Sequence, residues 1–158
     1  MNEGTSVIYK GQFERINGVL KKLLRESEAR CSLLVDKDGY LIAKQGFTHS
    51  LDTTSLAALL AGSFVSTKEM AKLLGESEFS VLFHEGKKDN ILVSLVGERS
   101  ILGVVFDDRT TIGMVRLYVR EAQGELEEIL TAKFEEGGGI GVGFANQAEE
   151  RLDQIFGD

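Results

Sequence analysis

The residues best suited to chemistry are the pair Asp107-Asp108, followed at once by Arg109-Thr110. Adjacent carboxylates after an apolar strand can bind a divalent cation or act as acid and base. The same spacing also suits a helix entry, because carboxylates stabilise a helix N-terminus and Asp108 or Thr110 can cap it. The helix-entry reading is favoured, since no other ligands or bases accompany the pair. His84-Glu85 opens like a zinc-protease motif, but Lys88 stands where the second histidine belongs. The only other histidine, His49, is distant in sequence, so no metal is expected and both histidines are read as surface residues. Gly86-Lys87 lacks the upstream glycine of a phosphate loop, since Val81 occupies that place. Gly137-Gly-Gly-Ile-Gly-Val-Gly143 fails the dinucleotide pattern at Val142. With no nucleophile beside a base and no phosphate loop, an active site of its own and a cofactor are not expected. The single Cys31 is read as a core residue.

The elements that would position these residues follow from periodicity. Phe13, Ile16, Leu20, Leu23 and Leu24 predict an amphipathic helix from about Gly11 to Glu28. Cys31 to Asp36 reads as a buried strand, Asp38-Gly39 as a hairpin turn and Tyr40 to Lys44 as the returning strand. Beyond Gly75, three strands are expected at Phe79 to His84, Ile91 to Val96 and Ile101 to Phe106. The last is nearly all apolar and is expected at the centre of the sheet. Phe79 to His84 is the candidate for an exposed edge that pairs with a second copy. Ile112, Val115, Val119, Ala122, Leu126, Ile129 and Leu130 predict a long final helix to about Phe134. The order α-β-β-α-β-β-β-α with short turns predicts an α+β fold, with a five-stranded antiparallel sheet and helices on both faces.

The second helix, Leu51 to Gly75, is the most unusual element. Asp52 is a good N-cap and Gly75 a good C-terminal stop. Leu56, Leu59, Leu60, Ser63, Met70, Ala71 and Leu74 are expected on the core face. The opposite side carries Thr54, Ala58, Ala61, Gly62 and Val65, then Lys68, Glu69 and Lys72. Small apolar residues in the first part of that outer face let another backbone approach closely. These eight residues are the expected platform, touching either a second subunit or another protein. A large charged side chain at Ala61 or Val65 is expected to block that approach.

Composition narrows the class. The chain has 158 residues, 42% of them hydrophobic, one cysteine and no proline, which fits one globular domain in a reducing cytoplasm. The longest apolar run is too short to cross a bilayer, and Met1 to Thr5 does not resemble a signal peptide. The net charge is −7, but residues 121–158 hold ten acidic and two basic residues, while residues 1–120 are nearly balanced. No basic stripe points to nucleic acid. Three segments are expected: a domain over 1–136, a glycine-rich flexible linker over 137–143 and an acidic amphipathic segment over 144–158. In the last, Ala148, Leu152, Ile155 and Phe156 share a helical face, with Phe144 just upstream. So short a helix does not hold itself together in water, so it is expected to fold on a partner's groove.

The order of elements and the small-faced second helix resemble the Roadblock dynein-light-chain-like domain. Leu33-Leu-Val-Asp-Lys-Asp-Gly39, Leu51-Asp-Thr-Thr-Ser-Leu-Ala57, Ala61-Gly62, Ala71-Lys-Leu-Leu-Gly-Glu-Ser-Glu-Phe79, Phe83-His-Glu-Gly86, Phe106-Asp-Asp-Arg-Thr110 and Leu152-Asp-Gln-Ile-Phe156 are similar to the MglB-type members, bacterial regulators of polarity and gliding. The likeness covers essentially the whole chain. It implies a Roadblock/profilin-like sandwich and a homodimer without cofactor or metal. It implies that the dimer binds an MglA-like, Ras-like small GTPase in its GTP state and raises hydrolysis. The two second helices would touch the switch regions, without an arginine finger from Arg99, Arg109, Arg116 or Arg120. It further implies that the terminal segment, through Phe144, Ala148, Leu152, Ile155 and Phe156, engages the GTPase at a second site and promotes exchange. The alternative is a Roadblock scaffold that binds a GTPase or adaptor without changing hydrolysis.

Overall fold

The computed structural model describes residues 8–77 and 79–139. Helix α1 spans Lys10–Ser27. Its start is tied down by Gln12, which is 1% exposed: its Oε1 accepts from the Tyr9 backbone N–H at 3.1 Å, and its Nε2 donates to the Ile129 carbonyl at 2.8 Å. A buried amide is tolerated only when paired in this way. The hairpin β1 (Cys31–Asp36) and β2 (Leu41–Gly46) turns at Gly39, whose φ of +101° suits glycine. Asp36 Oδ1 accepts from the Asp38 N–H at 2.7 Å and closes the turn. Leu34 pairs with Ala43 but Val35 with Leu41, so Ile42 is an extra residue, and β2 begins at Leu41 rather than the expected Tyr40.

Helix α2 covers Thr53–Leu73. Asp52 caps it as expected, accepting from the Ser55 N–H at 3.0 Å and the Ser55 hydroxyl at 2.7 Å. Its C-terminus closes when the N–H groups of Gly75 and Glu76 bond the carbonyls of Lys72 and Ala71, with Gly75 at φ +85°. Strands β3 (Val81–Glu85), β4 (Asn90–Val96) and β5 (Ser100–Phe106) precede helix α3, Ile112–Gly139. Helix α3 runs past the expected end near Phe134 and takes in the first three glycines of the expected linker. Residues 140–143 of that linker, and the whole terminal segment with Phe144, Ala148, Leu152, Ile155 and Phe156, lie outside the described residues.

The five strands form one antiparallel sheet in the order β2-β1-β5-β4-β3. As expected, β5 is central, all seven of its residues buried between β1 and β4, and β3 lies at an edge. Alternation along the strands sends side chains to two cores. Leu34, Leu92, Val96, Leu102, Val104 and Phe106 pack under α1 and α3. Leu33, Val35, Val93, Leu95 and Ile101 pack under α2. Three layers result, two helices on one face and one on the other. Gly103 of β5 lets α2 sit close: a β-carbon there would lie 2.9 Å from Leu60 Cδ1.

Candidate partner interface

Helix α2 crosses the sheet over β1, β2 and β5, and buries Thr53, Ala57, Leu60, Ala61, Phe64 and Ala71. This corrects the face expected from sequence. Ala61 is only 5% exposed, so it is a core residue and not part of the platform. Conversely Leu59, Met70 and Leu74, expected in the core, are exposed at 69%, 52% and 71%, and Leu73 at 87%. A helix on a sheet buries a stripe only a little over about 100° wide. Apolar residues surround α2 on every side, so periodicity alone leaves the phase of that stripe open. Phe64 was the missed signal: with Ala57, Leu60 and Ala71 it forms a stripe of helical spacing, and it is the largest apolar side chain in the helix.

The remaining platform residues, Thr54, Ala58, Gly62, Val65, Lys68, Glu69 and Lys72, are all exposed. Stepping about 100° per residue divides the outer surface into two flanks. One carries Leu59, Ser63, Ser66, Met70 and Leu73 and has no charge. The other carries Thr54, Ala58 and Val65, with all three charges of the helix, Lys68, Glu69 and Lys72. Gly62 lies on the crest between them. The charged flank faces the β1–β2 turn, where a β-carbon added to Gly39 would lie 3.5 Å from Ala58 Cα. That turn is fastened by Arg99, whose guanidinium lies 3.5 Å from Asp36 Oδ1 and 3.2 Å from Asp38 Oδ2. Lys72 and Glu69 lie 3.5 Å apart. An exposed pair of this kind adds little stability, so both charges are available to a partner at small cost.

Beyond α2, the sheet on this side is open. Leu82 of β3 and Ile91 of β4 are only partly buried against the α2-side core. Phe83 points to the opposite face and stacks on Phe106 with centroids 6.1 Å apart. The outer edge of β3 has no strand beside it among the described residues.

The other candidate groups play structural parts. Arg109 donates from Nε to Asp107 Oδ1 at 3.1 Å, and this side-chain bond, with one from its own backbone N–H, holds the Asp107 carboxyl below its ordinary value. The cap of α3 is Thr111, whose hydroxyl accepts from the Met114 N–H at 3.2 Å, in place of the expected Asp108 or Thr110. His49 and His84 are exposed. Cys31 is fully buried, and burial pushes its thiol up, away from the reactive thiolate. Among the described residues no group of three or more His, Cys, Asp or Glu is placed to hold a metal, and no helix is long and apolar enough to cross a membrane.

The Asp52 carboxylate is held below its ordinary value, first by the Ser55 hydroxyl and then by the Ser55 N–H. A carboxylate depressed on folding contributes its full stability above the unfolded value of 3.8, and that contribution is lost as pH falls through the lower folded value. Asp52→Ala is therefore expected to lower the melting temperature at pH 7, and the gap from the unsubstituted protein should narrow as pH falls below that value. Thermal melts at pH 7 and pH 3 read it directly.

Residues 15–106, which hold α1 from its second turn through β5, match the model of the Roadblock/LC7 domain. The chain belongs to this family. Among solved structures, this Roadblock protein is similar to Myxococcus xanthus MglB, with 44% identity, 80% of this chain and 95% of that chain covered and a TM-score of 0.75. The gliding protein MglB of Thermus thermophilus is 34% identical, with 82% and 98% covered and a TM-score of 0.77. A structure of MglB in a tetrameric arrangement is 33% identical, with the same coverage and a TM-score of 0.78. The shared part of the Roadblock fold includes α2 and the open β3 edge, both inside the matched residues.

Proposed function

We propose that this chain is a homodimeric, cytoplasmic GTPase activator for an MglA-like small GTPase, acting in the control of cell polarity or motility. The observation that carries the reading is the likeness to MglB over nearly all of that chain, together with an exposed α2 surface that includes small residues, Ala58 and Gly62, inside the matched region. The chemistry of hydrolysis belongs to the GTPase. The dimer acts by binding the switch conformation competent for hydrolysis more tightly than the others, so raising its population. The terminal segment 144–158 is assigned to a second contact with the same GTPase.

An arginine finger is not part of the proposal. Helix α2 contains no arginine. Arg99 is engaged with Asp36 and Asp38, and Arg109 with Asp107. Arg116 and Arg120 are exposed on α3, across the sheet from α2. Alanine at each of the four is expected to leave most of the stimulation intact, far from the ~10³-fold or larger loss that follows removal of a trans finger. Loss of stimulation by one of them without weaker binding would reverse this assignment.

The deciding experiment is single-turnover GTP hydrolysis by the MglA-like GTPase of the same organism, with and without saturating protein. A rise of about tenfold or more is expected, equivalent to ~1.4 kcal/mol off the barrier. Binding without any rise would make the chain a Roadblock scaffold instead.

A further inference from the structure

The sheet face opposite α2 carries two arginines with no structural duty. Arg116 and Arg120 are exposed on α3, and neither forms a hydrogen bond or ion pair with another described residue. They share one flank of the helix with Gln123 and Glu127, because residues three, four and seven apart fall on one side. Two bonds fix the direction of that flank. Gln123 Nε2 donates to the Leu95 carbonyl, and Glu127 Oε2 accepts from the Gly97 N–H at 2.9 Å. The Leu95 N–H bonds the Ser80 carbonyl just before β3, and in an antiparallel strand the N–H and C=O of one residue point the same way. The flank therefore faces β3. The other flank faces α1, where Glu125 meets Lys22 at 3.1 Å.

Helix α3 packs over β4 and β5 and leaves β3 beyond its reach. Alternation sends Val81 and Phe83 of β3 to this face. Val81 is only partly buried against the core, and Phe83 is 40% exposed despite its stack on Phe106. Val81 pairs with Ser94 and Phe83 with Leu92. Helix α3 runs the same way as β4, since Gln123 sits at Leu95 and Glu127 at Gly97. Stepping back from Gln123 therefore brings Arg120 level with Val81 and Arg116 level with Phe83. The result is an apolar strip of sheet with two guanidinium groups along one wall.

We propose that this strip receives the chain's own terminal segment, 144–158, folded back along α3. Charge favours it. The segment holds four carboxylates, Glu149, Glu150, Asp153 and Asp158, against the single Arg151. Its apolar residues Leu152, Ile155 and Phe156 share a helical face, with Glu149 and Asp153 along one border. Such a segment cannot hold a helix alone and needs a surface. Length permits the contact. Arg120 lies ~28 Å along the helix from Gly139. Extended to Asn146 the chain spans up to ~24 Å, and a helix from there to Asp153 adds ~10 Å. Asp153 then reaches Arg120, and Phe156 goes on toward Phe83. The same apolar face is the one assigned above to a second contact with the GTPase. It fills one groove at a time, so docking on its own domain holds that contact back until the GTPase competes. This competition rests on the proposed function, whereas the docking does not.

The test is hydrogen exchange on the full chain with no GTPase present. Amides of residues 149–156 are expected to exchange at least about tenfold more slowly than those of an unstructured chain. The protection should not depend on protein concentration, as an intramolecular contact requires, and should weaken as salt is raised. Arg116→Glu with Arg120→Glu, at exposed positions, is expected to abolish it without lowering the melting temperature. Adding Glu149→Lys and Asp153→Lys to that variant should restore it. Leu152→Ser with Phe156→Ser should abolish it without touching the domain. A segment unprotected in the unsubstituted chain, or protection that survives the arginine reversal, overturns the proposal. Protection that rises with concentration places the segment on a second copy and overturns docking on its own domain. A chain that protects its segment but does not stimulate the GTPase refutes the proposed function alone.

Discussion

Val65→Arg and Ala61→Arg, one turn apart on the same helix, are expected to fail in opposite ways. Val65 is 64% exposed on the charged flank of α2. An arginine there reaches solvent, so folding stability should stay within about 0.5 kcal/mol of the unsubstituted protein. Its length fills the space that Ala58 and Gly62 leave for a partner's backbone, so stimulation of GTP hydrolysis is expected to fall at least about tenfold, a loss of ~1.4 kcal/mol. Ala61 is 5% exposed and packs with Leu33, Val35, Leu60 and Phe64. Arginine there must either bury an unpaired charge or lift α2 from the sheet. Either route is expected to cost about 4 kcal/mol or more, enough to unfold a marginal domain. Urea denaturation of both variants beside the hydrolysis assay separates the outcomes. A well-folded Ala61→Arg would show that α2 is rotated from the orientation described, and a Val65→Arg that stimulates fully would overturn the assignment of this face of α2 to the partner.

Gly46→Ala is the second substitution with a large expected effect, and it acts through backbone. Gly46 ends β2 at φ +96°. A β-carbon there would collide with the Arg30 carbonyl oxygen, and would lie 2.8 Å from both Cys31 Cα and Leu24 Cδ1. Two of these obstacles are backbone and cannot step aside. The carbonyl of Arg30 also accepts from the Phe47 N–H at 3.0 Å, which locks the chain at that point. Strain at positive φ adds ~1 kcal/mol or more to the clash, and the expected total is about 3 kcal/mol of stability. The denaturation midpoint should shift down with its slope unchanged. If Gly46→Ala melts like the unsubstituted protein, the β1–β2 hairpin does not end as described. That hairpin carries Gly39 against Ala58, so loosening it should also weaken the platform.

The legible parts of this fold share a feature. Each was written locally, in residues whose effect does not depend on what packs around them. Asp52 and Gly75 mark the ends of α2 because capping involves atoms only a few residues apart. Asp38-Gly39 marks a hairpin because positive φ is a property of one residue. The unbroken run Ile101–Phe106 of β5, with no polar side chain, pointed to the centre of the sheet, since neither face nor edge of such a strand tolerates water. The errors fall where two local solutions were equally good. Helix α3 could stop near Phe134 or continue into the glycines, and Thr111 could replace Asp108 or Thr110 as its cap.

The face of α2 was the consequential case. Leucine at 56, 59, 60, 73 and 74, methionine at 70 and phenylalanine at 64 spread over about half of the helix, and Ala58, Ala61 and Val65 continue the apolar surface round the rest, so several phases bury similar area. The sheet beneath made the choice. Gly103 leaves a hollow for Leu60, and the strands offer Leu33, Val35 and Ile101 as a floor for Phe64 and Ala61. Side-chain order along the chain specified the number, type and succession of elements, the sheet's central strand and the existence of a surface beyond the core. Which residues form that surface, and its division into an uncharged and a charged flank, came only from packing. A helix amphipathic on more than one side acquires its orientation from the surface it lands on, and that surface is assembled from strands far away in sequence.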